Sequence, residues 1–210
     1  MYLSQQIDDV LESNRHKFIG NLSYATIIRR LGISFDFPKD LKFRFEKFKD
    51  VDVDEFMVSG LYDMAYNKKY IILNFSLYSD YINLTHYSFE TFKFFVSQVI
   101  QHETIHQDQW QYRDGTEDPV KLDFRNTTGT LREEREYLSD IDEIDAYAHD
   151  IAMEILFYYP KENPYNILKT INRRRKIPSY LYYKDTFKNT SWTKVKNRLL
   201  SKTYGWIPHV

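Results

Sequence analysis

The chain has 210 residues, 42% of them hydrophobic and 17% aromatic, so it is long enough to bury a core as one folded domain. It contains no cysteine, which excludes disulfides, cysteine-based metal sites and thiol nucleophiles and favours a reducing compartment. The first residues are polar, and no apolar run is long enough to span a bilayer. We therefore expect a cytoplasmic protein with neither a secretory signal nor a membrane segment.

Charge is distributed unevenly along the chain. Residues 1–160 hold 17 Lys and Arg against 28 Asp and Glu, whereas residues 161–210 hold 12 against two. We predict a main domain over 1–160 and a basic C-terminal extension over 161–210. Two interpretations of the extension stay open: it packs on the acidic body, or it presents a surface to nucleic acid or another acidic partner. The centre of that surface would be four consecutive residues: Arg173, Arg174, Arg175 and Lys176.

The first third of the chain predicts two short helices followed by strands. Residues 3–14 and 23–31 have the amphipathic spacing of helices. Apolar and charged residues alternate over 41–46, which indicates a half-buried strand. Residues 58–66 and 69–77, rich in β-branched and aromatic residues, predict a hairpin.

A long helix is predicted next, from Ser88 as its cap to about residue 112. His102 and His106 continue the apolar stripe of this helix, so we expect both on its buried face. The stripe consists of Phe92, Phe95, Val96, Val99 and Ile100.

Within this helix the sequence His102-Glu103-Thr104-Ile105-His106 reads H-E-x-x-H. Residues four apart share a helix face, so both imidazoles can reach one metal ion. Glu103 lies beside that metal and can take a proton from a metal-bound water. The pattern is the active-site core of zinc-dependent peptidases. It predicts a zinc site with His102 and His106 as ligands and Glu103 as general base.

A third ligand is expected, because catalytic zinc usually has three protein ligands. The positions of the extended motif H-E-x-x-H-x-x-G-x-x-H hold Gln109 and Tyr112, so a third histidine is excluded there. Glu143 is the best candidate, because Ala146 one turn later would let its helix approach the histidine helix closely. Other carboxylates and one histidine remain open, as does a merely solvated acidic face: Glu136, Asp142, Asp145 and His149.

Glu143 belongs to a helix predicted over 131–158, after a turn-rich segment at 113–131. Its apolar stripe would be Ile141, Ile144, Ala148, Ile151 and Ile155. The rest of the chain predicts shorter helices broken at Pro164 and Pro178. Trp192 and Trp206 are expected to anchor this segment.

The order of these elements resembles the gluzincin branch of zinc metallopeptidases. It is most similar to the compact ImmA/IrrE-type peptidases of mobile elements and bacteria, and to uncharacterised peptidases encoded by tailed phages. The resemblance covers roughly residues 55–158. It rests on four segments: Ser59-Gly60-Leu61-Tyr62-Asp63, Ile71-Ile72-Leu73-Asn74, the H-E-x-x-H motif, and Glu143-Ile144-Asp145-Ala146.

This resemblance implies a zincin-like α+β fold, with a small twisted antiparallel or mixed sheet packed on the H-E-x-x-H helix and a second, Glu-bearing helix. It also implies an edge strand that binds an extended peptide substrate, for which 69–77 is suited. Many gluzincins carry an aspartate where this chain has Tyr147. If a phage encodes the chain, its location would be the host cytoplasm.

The mechanism expected from this site is hydrolysis of a peptide bond by water that zinc activates. A further donor would stabilise the oxyanion, with Tyr147, Tyr137 and His149 as candidates and Tyr147 as the catalytic assignment. Two alternatives are a non-enzymatic phage structural or interaction protein that retains a metal site, and a nucleic-acid-binding regulator that uses the basic segment.

Overall fold

A computed structural model describes most of the chain. The described residues are 3–35, 39–113, 130–188 and 192–210. Most of the predicted turn-rich segment, from 114 to 129, lies outside them. The chain forms two compact units, Met1–Gln107 and Asp108–Val210, and the boundary falls within one continuous helix.

The first unit combines helices with short strands. Its helices are α1 (Leu3–Ser13), α2 (Arg15–Phe18), α3 (Tyr24–Ser34) and α4 (His86–Tyr112), the last of which continues into the second unit. Its strands are β1 (Gly20–Ser23), β2 (Leu41–Phe48), β3 (Phe56–Asp63), β4 (Lys68–Ser76) and β5 (Tyr81–Leu84). The predicted helices, strand and hairpin are all present.

The strands form a mixed sheet and a separate antiparallel pair. The sheet has the order β2-β4-β3, with β2 parallel and β3 antiparallel to β4, while β1 pairs with β5. The assignment of 69–77 to an edge strand was therefore wrong. The isolated strand predicted near residue 41 supplies a second neighbour for β4, which becomes the central strand.

The first core joins the mixed sheet to α1, α2, α3 and α4. Alternate residues of β4 point to one face, and Ile71, Leu73 and Phe75 on that face are fully buried. Phe92 and Val96 of α4 belong to the same cluster. This arrangement confirms an α+β fold with small sheets packed on helices.

The start of α4 differs slightly from the prediction. Thr85 Oγ1 accepts a hydrogen bond from the Ser88 amide at 3.1 Å, and Ser88 Oγ accepts one from the Thr85 amide at 2.8 Å. This reciprocal pattern makes Thr85 the N-cap and places Ser88 three residues further along. The helix therefore begins at His86 rather than after Ser88.

The second unit is helical over its described residues. Its helices are α5 (Leu131–Ser139), α6 (Ile141–Tyr158), α7 (Pro164–Lys169), α8 (Pro178–Thr186) and α9 (Trp192–Trp206), with 3-10 turns at Ile171–Arg173 and Ile207–His209. Pro164 and Pro178 occupy the first turns of α7 and α8, as their missing amide donors favour.

The predicted helix over 131–158 is interrupted at Asp140. The backbone of Asp140 is extended, and its side chain accepts a hydrogen bond from the Asp142 amide at 2.8 Å. A new helix thus begins at Ile141, which is 59% exposed and does not join the buried stripe as predicted. The other predicted members of that stripe are buried: Ile144, Ala148, Ile151 and Ile155.

The basic segment shares one core with α6. The buried cluster of the second unit joins residues of α6 to residues from α7, α8 and α9, among them Ile167, Tyr180 and Leu199. Trp206 donates from Nε1 to Asp145 at 3.2 Å. The predicted division of the chain at residue 160, with a functional domain over 1–160, stays a prediction. Within the described ranges, no helix combines the length and apolar composition that crossing a bilayer requires.

Candidate metal centre

Two histidines converge on α4. His102 and His106 are four residues apart, and their Nε2 atoms lie 3.2 Å from each other. Two imidazole nitrogens bound to one tetrahedral zinc lie roughly 2.0–2.1 Å from the metal and hence about 3.3 Å apart. A hydrogen bond between the rings would give a similar distance, so the third side chain decides the interpretation.

Glu143 of α6 supplies that third side chain. One ligand atom each from His102, His106 and Glu143 can be chosen so that all three lie within 4.8 Å of one another. Among the described residues, this is the one group of three or more His, Asp or Glu that meets this condition. All three residues are half-buried. Two imidazoles and a carboxylate are a donor set that zinc accepts.

The beginning of α6 is fixed by local contacts of the second unit. Arg113, just beyond α4, forms an ion pair with the Asp142 carboxylate, and the Gln109 side chain donates to the Asp142 carbonyl at 3.3 Å. Glu143 follows in the first helical turn, where a carboxylate is favoured by the helix dipole. The C-terminal end of α4 and the residue that follows it therefore bind Asp142, the residue that precedes Glu143.

The other acidic candidates have partners of their own. The Asp142 carboxylate forms an ion pair with Arg113. Asp145 accepts from Trp206 and forms an ion pair with Lys202 Nζ at 3.1 Å. These contacts explain why neither carboxylate belongs to the cluster.

Glu136 and His149 also lie outside the cluster. Glu136 is on α5, where it pairs with Arg132 at 2.9 Å on the surface. His149 is 2% exposed, and its ring meets the Trp206 ring edge-on at 5.1 Å between centroids.

Glu103 is buried against β3. Its side chain is on the sheet-facing side of α4 and is 5% exposed. A Cβ atom placed on Gly60 would lie 2.3 Å from Glu103 Oε1, 2.7 Å from Glu103 Cγ and 2.7 Å from Val99 Cγ1. The absence of a side chain at Gly60 is therefore what leaves room for the carboxylate. This contact was missed, although a glycine within a strand is a signal of close approach.

The buried face of α4 includes three residues of the predicted stripe, Phe92, Val96 and Ile100, but it does not include the two histidines. The buried residues continue from Val96 and Ile100 to Glu103 and Gln107, whereas His102 and His106 are half-buried beside them. Partial exposure suits a metal centre, because a substrate must reach it.

Gln107 ties the end of this helix to the hairpin of the first unit. Its Oε1 accepts from the buried Lys69 at 2.5 Å, and its Nε2 donates to Asp40 at 2.8 Å and to Asn67 at 2.9 Å. Lys69 also pairs with Asp40 at 2.9 Å. Burial raises the pKa of Asp40, but hydrogen bonds from Lys69 and Gln107 outweigh it and leave the pKa below the usual 3.8.

The predicted oxyanion donors are aromatic side chains of the second unit. Tyr147 lies one turn beyond Glu143 on α6 and is half-buried, with its ring edge-on to Tyr183 at 5.2 Å. Tyr137 is half-buried on α5 and packs against the second core. Burial, followed by the nearby charge of Glu143, raises the pKa of Tyr183 well above 10.

The four basic residues of the C-terminal segment lie between α7 and α8. Arg174 pairs with Glu162 at 2.9 Å and lies over the Tyr159 ring at 5.0 Å. The other three are exposed: Arg173, Arg175 and Lys176. Nucleic-acid binding by this turn stays a prediction.

Comparison with known proteins adds no family assignment. No family model, curated protein or solved structure matches this chain.

Proposed function

We propose that this protein is a zinc-dependent peptidase, with His102, His106 and Glu143 as metal ligands and Glu103 as general base. The observation that carries the proposal is the convergence of two histidines and one glutamate from α4 and α6. The buried Glu103 is adjacent to His102 in the helix. A zinc ion held there would acidify water and polarise a carbonyl group.

Glu103 would move the proton during the reaction. Its carboxylate accepts a proton from the attacking water and then delivers it to the amine that leaves. Gly60 and the surrounding sheet restrict the positions that this carboxylate can take. Tyr147 is our candidate donor to the carbonyl oxygen of the substrate, because it is half-buried one turn beyond Glu143.

We further propose that the substrate is an extended peptide bound along β3. This strand ends the order β2-β4-β3 among the described residues, so its outer edge offers unpaired main-chain groups. Gly60 lies in the middle of β3 and touches Glu103. A peptide paired with this edge would run past the general base.

The proposal is tested by separating metal binding from hydrolysis. Wild type should contain about one zinc per chain and cleave members of a mixture of quenched fluorescent peptides. Glu103→Gln should keep the zinc and lose about 10²–10⁴-fold in rate, the typical contribution of a general base. His102→Ala should lose the zinc, whereas the surface change Glu136→Gln should alter neither property.

Two results would overturn this function. Zinc binding by the wild type with no hydrolysis of any peptide would identify a non-enzymatic protein that retains a metal site. Full hydrolysis by Glu103→Gln would exclude Glu103 as the base.

A further inference from the structure

Tyr183 has a buried hydroxyl that the proposed function does not use. The residue lies on α8 and is fully buried. Among the described residues, its hydroxyl oxygen has no hydrogen-bond partner. Buried polar atoms are nearly always paired, so an unpaired phenol in a core points to a partner that is absent or to a functional role.

The side of α6 that faces α8 carries Glu143. Ser179, one turn before Tyr183 on α8, binds the Glu154 carboxylate through its amide and hydroxyl. Nearer the start of α6, the Tyr183 ring meets Tyr147, and Glu143 is one further turn back on α6. The two helices therefore place the Tyr183 phenol near the turn that carries the third ligand.

The chemistry of the phenol makes it a donor. A phenol keeps its proton at neutral pH, because its ordinary pKa is about 10, so the Tyr183 hydroxyl can donate a hydrogen bond. A carboxylate that holds a metal through one oxygen keeps acceptor capacity on the other. Outer hydrogen-bond partners of this kind fix the orientation of metal ligands.

We propose that Tyr183 is a positioning residue for the metal centre: its hydroxyl donates a hydrogen bond, directly or through one water, to the Glu143 carboxylate when Glu143 binds metal. The inference rests on the proposed metal site and adds to it the residue that orients its third ligand. It predicts that zinc affinity depends on one hydroxyl of the second core.

The experiment compares Tyr183→Phe with Tyr180→Phe. Tyr180 lies on the same helix, and its hydroxyl donates to Asn172. Each substitution keeps the ring and removes one buried hydroxyl. Zinc affinity is measured by competition with a chromophoric chelator, and the stability of the zinc-free protein is measured by thermal unfolding.

Tyr183→Phe should weaken zinc binding by about 10–100-fold, the usual effect of losing an outer partner of a ligand. The zinc-free variant should unfold at or above the wild-type temperature, because no hydrogen bond is lost. Tyr180→Phe should show the reverse: a lower unfolding temperature and an unchanged zinc affinity.

Equal zinc affinity for wild type and a folded Tyr183→Phe would overturn the inference. So would a loss of affinity matched by the same loss in Tyr180→Phe, because that result would reflect general weakening of α8. Failure of the proposed metal site would give a different result: the wild type would bind no zinc, or its zinc affinity would be no higher than that of His102→Ala.

Discussion

The contact between Gly60 and Glu103 makes the sharpest prediction of the structure. In Gly60→Ala the new methyl carbon would start 2.3 Å from Glu103 Oε1, whereas ordinary contact begins near 3.4 Å. The carboxylate must therefore move by about 1 Å, and Val99 must also yield because its Cγ1 would lie at 2.7 Å. The substitution displaces Glu103, the proposed general base, without contacting any of the proposed metal ligands.

Both the activity and the stability of Gly60→Ala can be anticipated. A misplacement of about 1 Å in a catalytic group can cost roughly 10²-fold in rate, so we expect kcat/KM for peptide cleavage to fall by about that factor. Overpacking of a buried site costs about 1–3 kcal/mol in the free energy of unfolding. Zinc content should stay at the wild-type value, because His102, His106 and Glu143 keep their places.

Gly32 provides the matched control, because a Cβ added there would meet no atom within 4 Å. Gly32 lies in α3, so Gly32→Ala should raise stability by about 0.5–1 kcal/mol and leave activity unchanged. The double variant Gly60→Ala/Glu103→Ala should recover part of the lost stability, since the clashing carboxylate is gone. Wild-type activity in Gly60→Ala, or an equal stability loss in both backgrounds, would refute the reasoning.

Two further predictions concern the polar contacts that fix each unit. Asp40→Asn should lower the free energy of unfolding at pH 7 by about 1–3 kcal/mol, because Lys69 and Gln107 lose a charged partner. The pKa of Asp40 is lower in the folded than in the unfolded protein, so its charge stabilises the fold above about pH 3.8, and this stabilisation is lost as the pH falls through the folded pKa. The stability difference between wild type and Asp40→Asn, measured by urea unfolding, should therefore be smaller at pH 3 than at pH 7. An unchanged difference at pH 3 would contradict this prediction. Glu154→Ala should lower the free energy of unfolding by about 2–3 kcal/mol, because the carboxylate is 1% exposed and accepts hydrogen bonds from both the amide and the hydroxyl of Ser179. Ser179→Ala removes only the hydroxyl and should lower it by about 1 kcal/mol. Equal losses for these two variants in thermal unfolding would show that the amide contacts contribute nothing.

The pairing of His102 with His106 could be predicted because helix geometry alone sets it. Residues four apart on a helix are neighbours whatever surrounds them. The partial burial of the two imidazole rings could not be predicted in the same way. Glu103 and Gln107 are polar, and they lie on the buried face because Gly60 leaves space for one and Lys69 binds the other. Periodicity assigns polar residues to the surface and carries no information about such partners.

The preference for Glu143 rested on Ala146, which is fully buried in the structure. The sequence left its acidic neighbours open as ligands. Two of these neighbours form ion pairs in the structure, Asp142 with Arg113 and Asp145 with Lys202. These pairs join residues 29 and 57 positions apart, so no local pattern could reveal them.

The parallel pairing of β2 with β4 has the largest consequence for function. Sequence patterns identified each strand but not the partner of β2, and the hairpin alone made β4 a reasonable edge. With β2 added, the outer position passes to β3, which contains Gly60. Both edges of β4 are paired, with β2 and β3, whereas a peptide bound at β3 would lie on the strand that contacts Glu103, the proposed general base. The corrected strand order therefore supports peptide hydrolysis better than the predicted one did.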